Sequence, residues 1–128
     1  MANKLTDQQL RYAIGKAFNL LCQDWPTTYS FFMPKLDDDS SDWYGQVGDR
    51  IYFCGDVASA TGTHQRYVCI GLISATGVNQ LPECLKVWLC TFPASTYLDL
   101  HFMRDIEAEL RDPDLFNRNQ PPPFKRHK

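Results

Sequence analysis

Apolar positions in this chain recur at two different intervals, and each change of interval marks a new element. Near the N-terminus Leu10, Ile14, Ala17, Phe18, Leu21 and Trp25 return every three or four positions, with Arg11, Lys16, Asn19 and Gln23 mostly between them. That spacing predicts an amphipathic helix. Thr6 and Gln9 occupy the two positions of a capping box, and Leu5 and Leu10 are spaced to pack across it. Pro26 cannot continue the helix and stops it near Asp24. A second helical stripe, Leu98, Phe102, Ile106 and Leu110, predicts a helix from about Thr96 to Arg111. Thr96 with Asp99 resembles its capping pair, and Asp112-Pro113 ends it.

Between these helices the period drops towards two. TTYSFF is a short strand ended by Pro34, and RIYFCG is a strand following Gly48-Asp49. HQRYVCIGLIS is the longest strand, and ECLKVWLCTF, closed by Pro93, is the last. GDVASATGT and ATGVNQLPE carry the small and turn-forming residues of loops. The order predicts an α+β fold: an N-terminal helix, an antiparallel sheet of three or four strands, and a C-terminal helix. Residues 1–116 form one domain, which suits a chain of 128 residues. Residues 117–128 hold three consecutive prolines and form an extended, proline-rich basic tail.

Alternation along the strands predicts a sheet with two apolar faces. One set of positions, Ile51, Phe53, Val68, Ile70, Leu72, Leu85, Val87 and Leu89, is almost wholly aliphatic and is the natural seat for the helices. The other, Tyr52, Tyr67, Trp88 and Phe92 with Cys54, Cys69 and Cys90, is aromatic and hardly polar. Sheets open to water on one side usually alternate with plainly polar residues. Two helices of ~10 Å diameter cover about the width of four strands. If both lie on the aliphatic face, the aromatic face is left as a docking surface. The alternative is one helix on each face, or a tail folded back over the second. A one-residue slip of any strand exchanges its faces.

Charge adds a second candidate. From Asn117 onward the chain carries Arg118, Lys125, Arg126 and Lys128 and no acid, so residues 1–116 hold nine bases against fifteen acids. A body this acidic repels phosphate backbones, so a nucleic-acid role would rest on the tail alone. The acid is densest in LDDDSSDWYG, residues 36–45, where Asp37, Asp38, Asp39 and Asp42 precede Trp43 and Tyr44. A calcium loop counted from Asp37 would need Gly at its sixth position and Glu at its twelfth; Asp42 and Gly48 stand there. The stretch is therefore either a solvated loop or a recognition element, in which rings supply contact area and carboxylates speed encounter.

Catalytic spacing is absent from the sequence. No Gly-rich phosphate loop, HExxH or G-x-S-x-G motif occurs, and no metal site or cofactor is expected. His101 lies beside Asp99 and Asp105 without a third partner. His64 and Arg66, on one strand, could hold an anion, and Cys69 and Cys90 could line the same pocket. Cys22, Cys54, Cys69, Cys84 and Cys90 are odd in number, and no two lie at C-x-x-C spacing. They read as free thiols, mostly buried, in a reducing, cytoplasmic setting. No window approaches the ~20 apolar residues of a membrane span.

The sequence thus points to a small binding protein without catalysis, such as an inhibitor, immunity factor or assembly subunit. Its partner is another protein or a second copy of itself in a homodimer. The expected contact residues are Asp37, Asp38, Asp39, Asp42, Trp43, Tyr44, Tyr52, Tyr67, Trp88 and Phe92. The alternative is a small-ligand protein or enzyme with a pocket on the same sheet face, built from His64, Arg66, Cys69 and Cys90.

Overall fold

The computed structural model describes residues 4–24, 29–36, 44–59, 61–74, 81–93 and 100–117. Helix α1 spans Asp7–Asp24. Five strands follow: β1 (Ser30–Phe31), β2 (Tyr44–Val47), β3 (Arg50–Ala58), β4 (His64–Ile73) and β5 (Cys84–Pro93). Helix α2 covers Leu100–Arg111, and a 3₁₀ turn, Leu115–Asn117, comes after it. All strand pairs are antiparallel, in the order β1-β3-β4-β5, and β2 shares the outer edge of β3 with β1. The α+β architecture is the one the sequence predicts.

Local chemistry accounts for the elements. The capping box forms in full. Thr6 Oγ1 accepts from the Gln9 amide at 3.1 Å, and Gln9 Oε1 accepts from the Thr6 amide at 3.0 Å. Both would otherwise be orphan donors at the helix start. Leu5 is buried beside this cap, and its amide donates to Gln46 Oε1 at 2.8 Å. Gly48 and Asp49 make a two-residue turn between β2 and β3, with Gly48 at φ 61°. That left-handed angle suits glycine.

Four boundaries differ from the sequence reading. TTYSFF pairs only through Ser30 and Phe31. Tyr44–Val47, which overlaps the end of the stretch 36–45 and was not expected to pair, is a strand. β3 does not stop at Gly55 but runs on to Ala58, because β4 pairs with it as far as Ala58↔His64. Asn117, read as the start of the tail, closes the 3₁₀ turn, whose Leu115 is fully buried. Residues 118–128 lie outside the described residues, as do 94–99, where the second helix was expected to begin.

One helix covers each face of the sheet. Under α1, Ala13, Ile14, Ala17 and Leu21 pack on Ile51, Phe53, Val57, Tyr67, Cys69, Ile73, Val87 and Leu89. Gly71 lets α1 come close: a Cβ there would lie 3.3 Å from Ala17 Cβ. On the opposite face Ile106, Leu110 and Leu115 pack on Cys54, Val68, Ile70, Trp88 and Cys90, with Tyr52 and Phe116 at the margin. The expected division into an aliphatic and an aromatic face is therefore not observed. The register aligns Phe53 with Cys69 and Leu89, and Tyr52 with Ile70 and Trp88. This puts Tyr67 on the α1 side and Trp88 on the α2 side.

Two local devices fix that register. Tyr67 lies opposite Gly55, and a Cβ on Gly55 would meet the Tyr67 ring at 2.8 Å. The glycine gives the ring its seat across the neighbouring strand. The Tyr67 hydroxyl then donates to the Phe32 carbonyl at 2.8 Å, satisfying a polar group in a fully buried side chain. A bulge shifts the other end of the sheet, where Leu72 opposes Lys86 but Ile73 opposes Cys84. Leu85, the extra residue, is turned out of the core and is 54% exposed.

Candidate functional site

The candidate site is built around the first turn of α1. Asp7 and Arg11 stand one turn apart, and Arg11 Nε donates to Asp7 Oδ2 at 2.7 Å. Arg11 Nη2 donates to the Leu36 carbonyl at 2.7 Å and approaches the Tyr44 hydroxyl at 3.4 Å. The Tyr44 hydroxyl in turn donates to Asp7 Oδ1 at 3.0 Å. Leu36 and Tyr44 are the residues on either side of 37–43. One guanidinium thus holds both ends of the acidic stretch against the helix.

Electrostatics within the group follow from these bonds. The hydrogen bond from Arg11, and then that from Tyr44, holds the Asp7 carboxyl below the ordinary range. The bond to Asp7 pushes the Tyr44 phenol up, because only the protonated phenol can donate it. Asp7 and Arg11 are both exposed, so this is a surface arrangement in contact with water.

The expected contact residues do not converge on one surface. Asp37, Asp38, Asp39, Asp42 and Trp43 lie outside the described residues. Tyr44 stands at the base of that stretch, half-buried and bonded to α1. Tyr67 and Trp88 are 0% and 2% exposed, beneath different helices, so neither is a surface residue of this protomer. Tyr52 is half-buried at the edge of the α2 face, its phenol pushed up by burial and by the charge of Glu107. Phe92 lies on β5 opposite Arg66, with its side chain outside the described residues.

The alternative ligand residues are partly assembled. His64, Arg66 and Cys90 share the α2 face, whereas Cys69 is fully buried under α1. Burial pushes the Cys69 thiol well above its ordinary range. Asp56 lies opposite Arg66, 3.8 Å from its Nε and 3.5 Å from His64 Nε2. Arg66 Nη2 also donates to Cys54 Sγ at 3.2 Å. Arg66 and His64 are therefore both already engaged by Asp56. Among the described residues, no three His, Cys, Asp or Glu side chains are placed to hold a metal ion. No helix among them is long and apolar enough to cross a membrane.

Two surface features escaped the sequence reading. Phe32 and Met33, directly after β1, are both exposed. Phe32 is nevertheless fixed at its backbone, since its amide donates to the Asp56 carbonyl and its carbonyl accepts from Tyr67. A cleft of about 390 Å³ also opens between α1 and the start of β5, lined by Tyr12, Lys16, Asn19, Leu20, Glu83 and Cys84 among others. No sequence motif marks either feature, because both depend on which residues the fold turns outward. No family model, curated protein or solved structure matches the chain.

Proposed function

We propose that this chain is a small binding protein without catalytic machinery, and that it engages another protein through the acidic-aromatic stretch 37–44. The supporting observation is the Arg11 junction, which ties Leu36 and Tyr44 to the first turn of α1. Seven residues leave and return at one fixed point, and among them are Asp37, Asp38, Asp39, Asp42 and Trp43. Holding both ends lowers the ordering cost when a partner binds. The carboxylates favour a basic partner surface, and Trp43 supplies an aromatic anchor of the type that dominates interface energies. Phe32 and Met33, within four residues of Leu36 in the chain, are also exposed.

The reading is tested by affinity capture with the full chain and with a variant carrying D37N, D38N, D39N, D42N and W43A. A partner identified with the wild type should be lost with the variant, and binding should weaken with added salt. Retention of the same partner by a folded variant would refute the proposal.

The rival, a small-ligand pocket at His64, Arg66 and Cys90, has these three residues on one sheet face in its favour. Asp56 already pairs with Arg66 and His64 there, and the acidic stretch is preferred for that reason. A thermal-shift screen with small anions separates the two, since only the pocket reading expects a rise in Tm that Arg66→Gln removes.

A further inference from the structure

β5 is the last strand in the order β1-β3-β4-β5, and among the described residues no strand pairs with its outer side. The register gives the direction of its backbone groups. The Asp56 carbonyl accepts from the Phe32 amide, so the groups of Asp56 face β1 and those of Gly55 and Val57 face β4. Carried through the pairs Gly55↔Tyr67, Val68↔Cys90 and Ile70↔Trp88, this alternation turns Trp88 and Cys90 towards β4 and Val87, Leu89 and Thr91 outward. A strand at the end of a sheet leaves such a row open to water unless something lies along it. Yet Val87, Leu89 and Thr91 are only 5%, 2% and 1% exposed as whole residues. The helices pack on the two faces of the sheet, so the edge is covered by a part of the chain outside the described residues.

Connectivity narrows the choice. Residues 25–28 lead into β1 and residues 37–43 into β2, both at the opposite edge of the sheet. Residues 1–3 adjoin Leu5, whose amide bonds to Gln46 on β2. Residues 75–80 are closed off from β5 by the bonds between Ser74 and Glu83, and residues 94–99 are needed to join Pro93 to Leu100. The C-terminal segment remains. It starts in the right place, because the 3₁₀ turn packs on β5, and its Leu115 lies in one cluster with Trp88 and Cys90. At ~3.3 Å per extended residue its eleven residues reach ~36 Å, the length of the ten-residue strand. We infer that residues 118–128 run along the outer edge of β5 and close it. Pro121, Pro122 and Pro123 supply carbonyls that accept from the outward amides of Val87, Leu89 and Thr91. They bring no N–H groups of their own, a composition a sheet tolerates only at its outermost position. The sheet is thereby guarded against pairing with a strand of another chain.

Nuclear magnetic resonance of the full chain tests this. In the wild type, protons of Pro121, Pro122 and Pro123 should show Overhauser contacts with Val87, Leu89 and Thr91, and the amides of those three should exchange slowly. Pro121→Gly, Pro122→Gly, Pro123→Gly and Phe124→Gly, made together, keep the length of the segment and remove its stiffness and its ring. Exchange at Val87, Leu89 and Thr91 should then rise at least about tenfold, while the amides of Trp88 and Cys90, bonded to β4, exchange as before. A wild type without those contacts, or one in which the three residues touch another segment or a second copy instead, would overturn the inference. So would a folded variant whose outward amides exchange at the wild-type rate.

Discussion

Arg50 holds α2 on the sheet, and replacing it should loosen that helix selectively. Its Nη1 points at the end of α2, 3.1 Å from the Leu110 carbonyl and 2.5 Å from that of Asp112, with the Glu109 carbonyl at 3.5 Å. These carbonyls lie at the negative end of the helix dipole, where the Glu109 carbonyl also accepts from the Asp112 amide and the Asp112 carbonyl from the Leu115 amide, each at 3.3 Å. The guanidinium also stacks over Phe116 at 5.3 Å. Its side chain is only 13% exposed, so solvent screens it little. The 3.5 Å contact is too long to count as a full bond. The two shorter ones contribute about 1 kcal/mol each once the freed carbonyls regain some water, and the stacking adds ~0.5–1 kcal/mol. The ion pair to Asp49, at 4.0 Å, adds little. Arg50→Met should therefore cost about 2–3 kcal/mol, and Arg50→Lys, which keeps the charge but not the fork, about half as much. Urea denaturation followed by circular dichroism measures this directly. Hydrogen exchange should show lost protection concentrated in α2 and the 3₁₀ turn, with α1 unaffected. A cost below ~0.5 kcal/mol, within the range of ordinary surface changes, would refute the assignment. Equal loosening of α1 would do the same.

Other outcomes follow from the same packing. Gly55→Val should destabilise by ~1–3 kcal/mol in thermal unfolding, because its Cβ would meet the buried Tyr67 ring at 2.8 Å. Gly15→Ala, with nothing within 4 Å of the added Cβ, should stabilise α1 by ~0.5–1 kcal/mol in the same assay. Asp7 has a folded pKa below the unfolded value of 3.8, so its contribution is complete above that pH and fades as pH falls through the folded value. The Tm difference between wild type and Asp7→Asn should accordingly be constant near neutral pH and shrink below pH 3.8; a difference that persists in stronger acid would count against the Arg11 junction. Cys84, pushed up to about 11 by burial from 9.0, has a thiolate fraction roughly a hundredfold below that of an ordinary thiol near pH 7.5. Maleimide should therefore label exposed Cys22 first and Cys84 slowly, with Cys54, Cys69 and Cys90 reacting only on unfolding; prompt labelling of Cys84 would contradict its burial.

The parts of the fold legible in the sequence are those set by neighbours along the chain. Thr6 and Gln9 announce α1 because each caps the other across three residues. Ile14, Ala17 and Leu21 show its buried face through their spacing alone. What the sequence left open depends on neighbours across the sheet. Tyr67 looks like part of an aromatic face until Gly55 is seen opposite it. Leu85 belongs by alternation with Val87 and Leu89, and a single inserted residue removes it. Tyr44–Val47 is a strand at the edge, with Gly45 and Gln46 at its centre and little apolar content to reveal it. Gly45 is there because a Cβ would meet the Tyr52 ring. The candidate site was legible in composition, as a run of carboxylates beside Trp43 and Tyr44. Its attachment was not, since Arg11 reads as one more polar residue on the outer side of a helix.

That attachment has a consequence for how the protein can change. With Leu36 and Tyr44 moored to one guanidinium, the two ends of the span between them are held at one point on α1. Lengthening such a span costs only slowly growing closure entropy. If the stretch recognises a partner as proposed, insertions there would change its reach at little added closure cost.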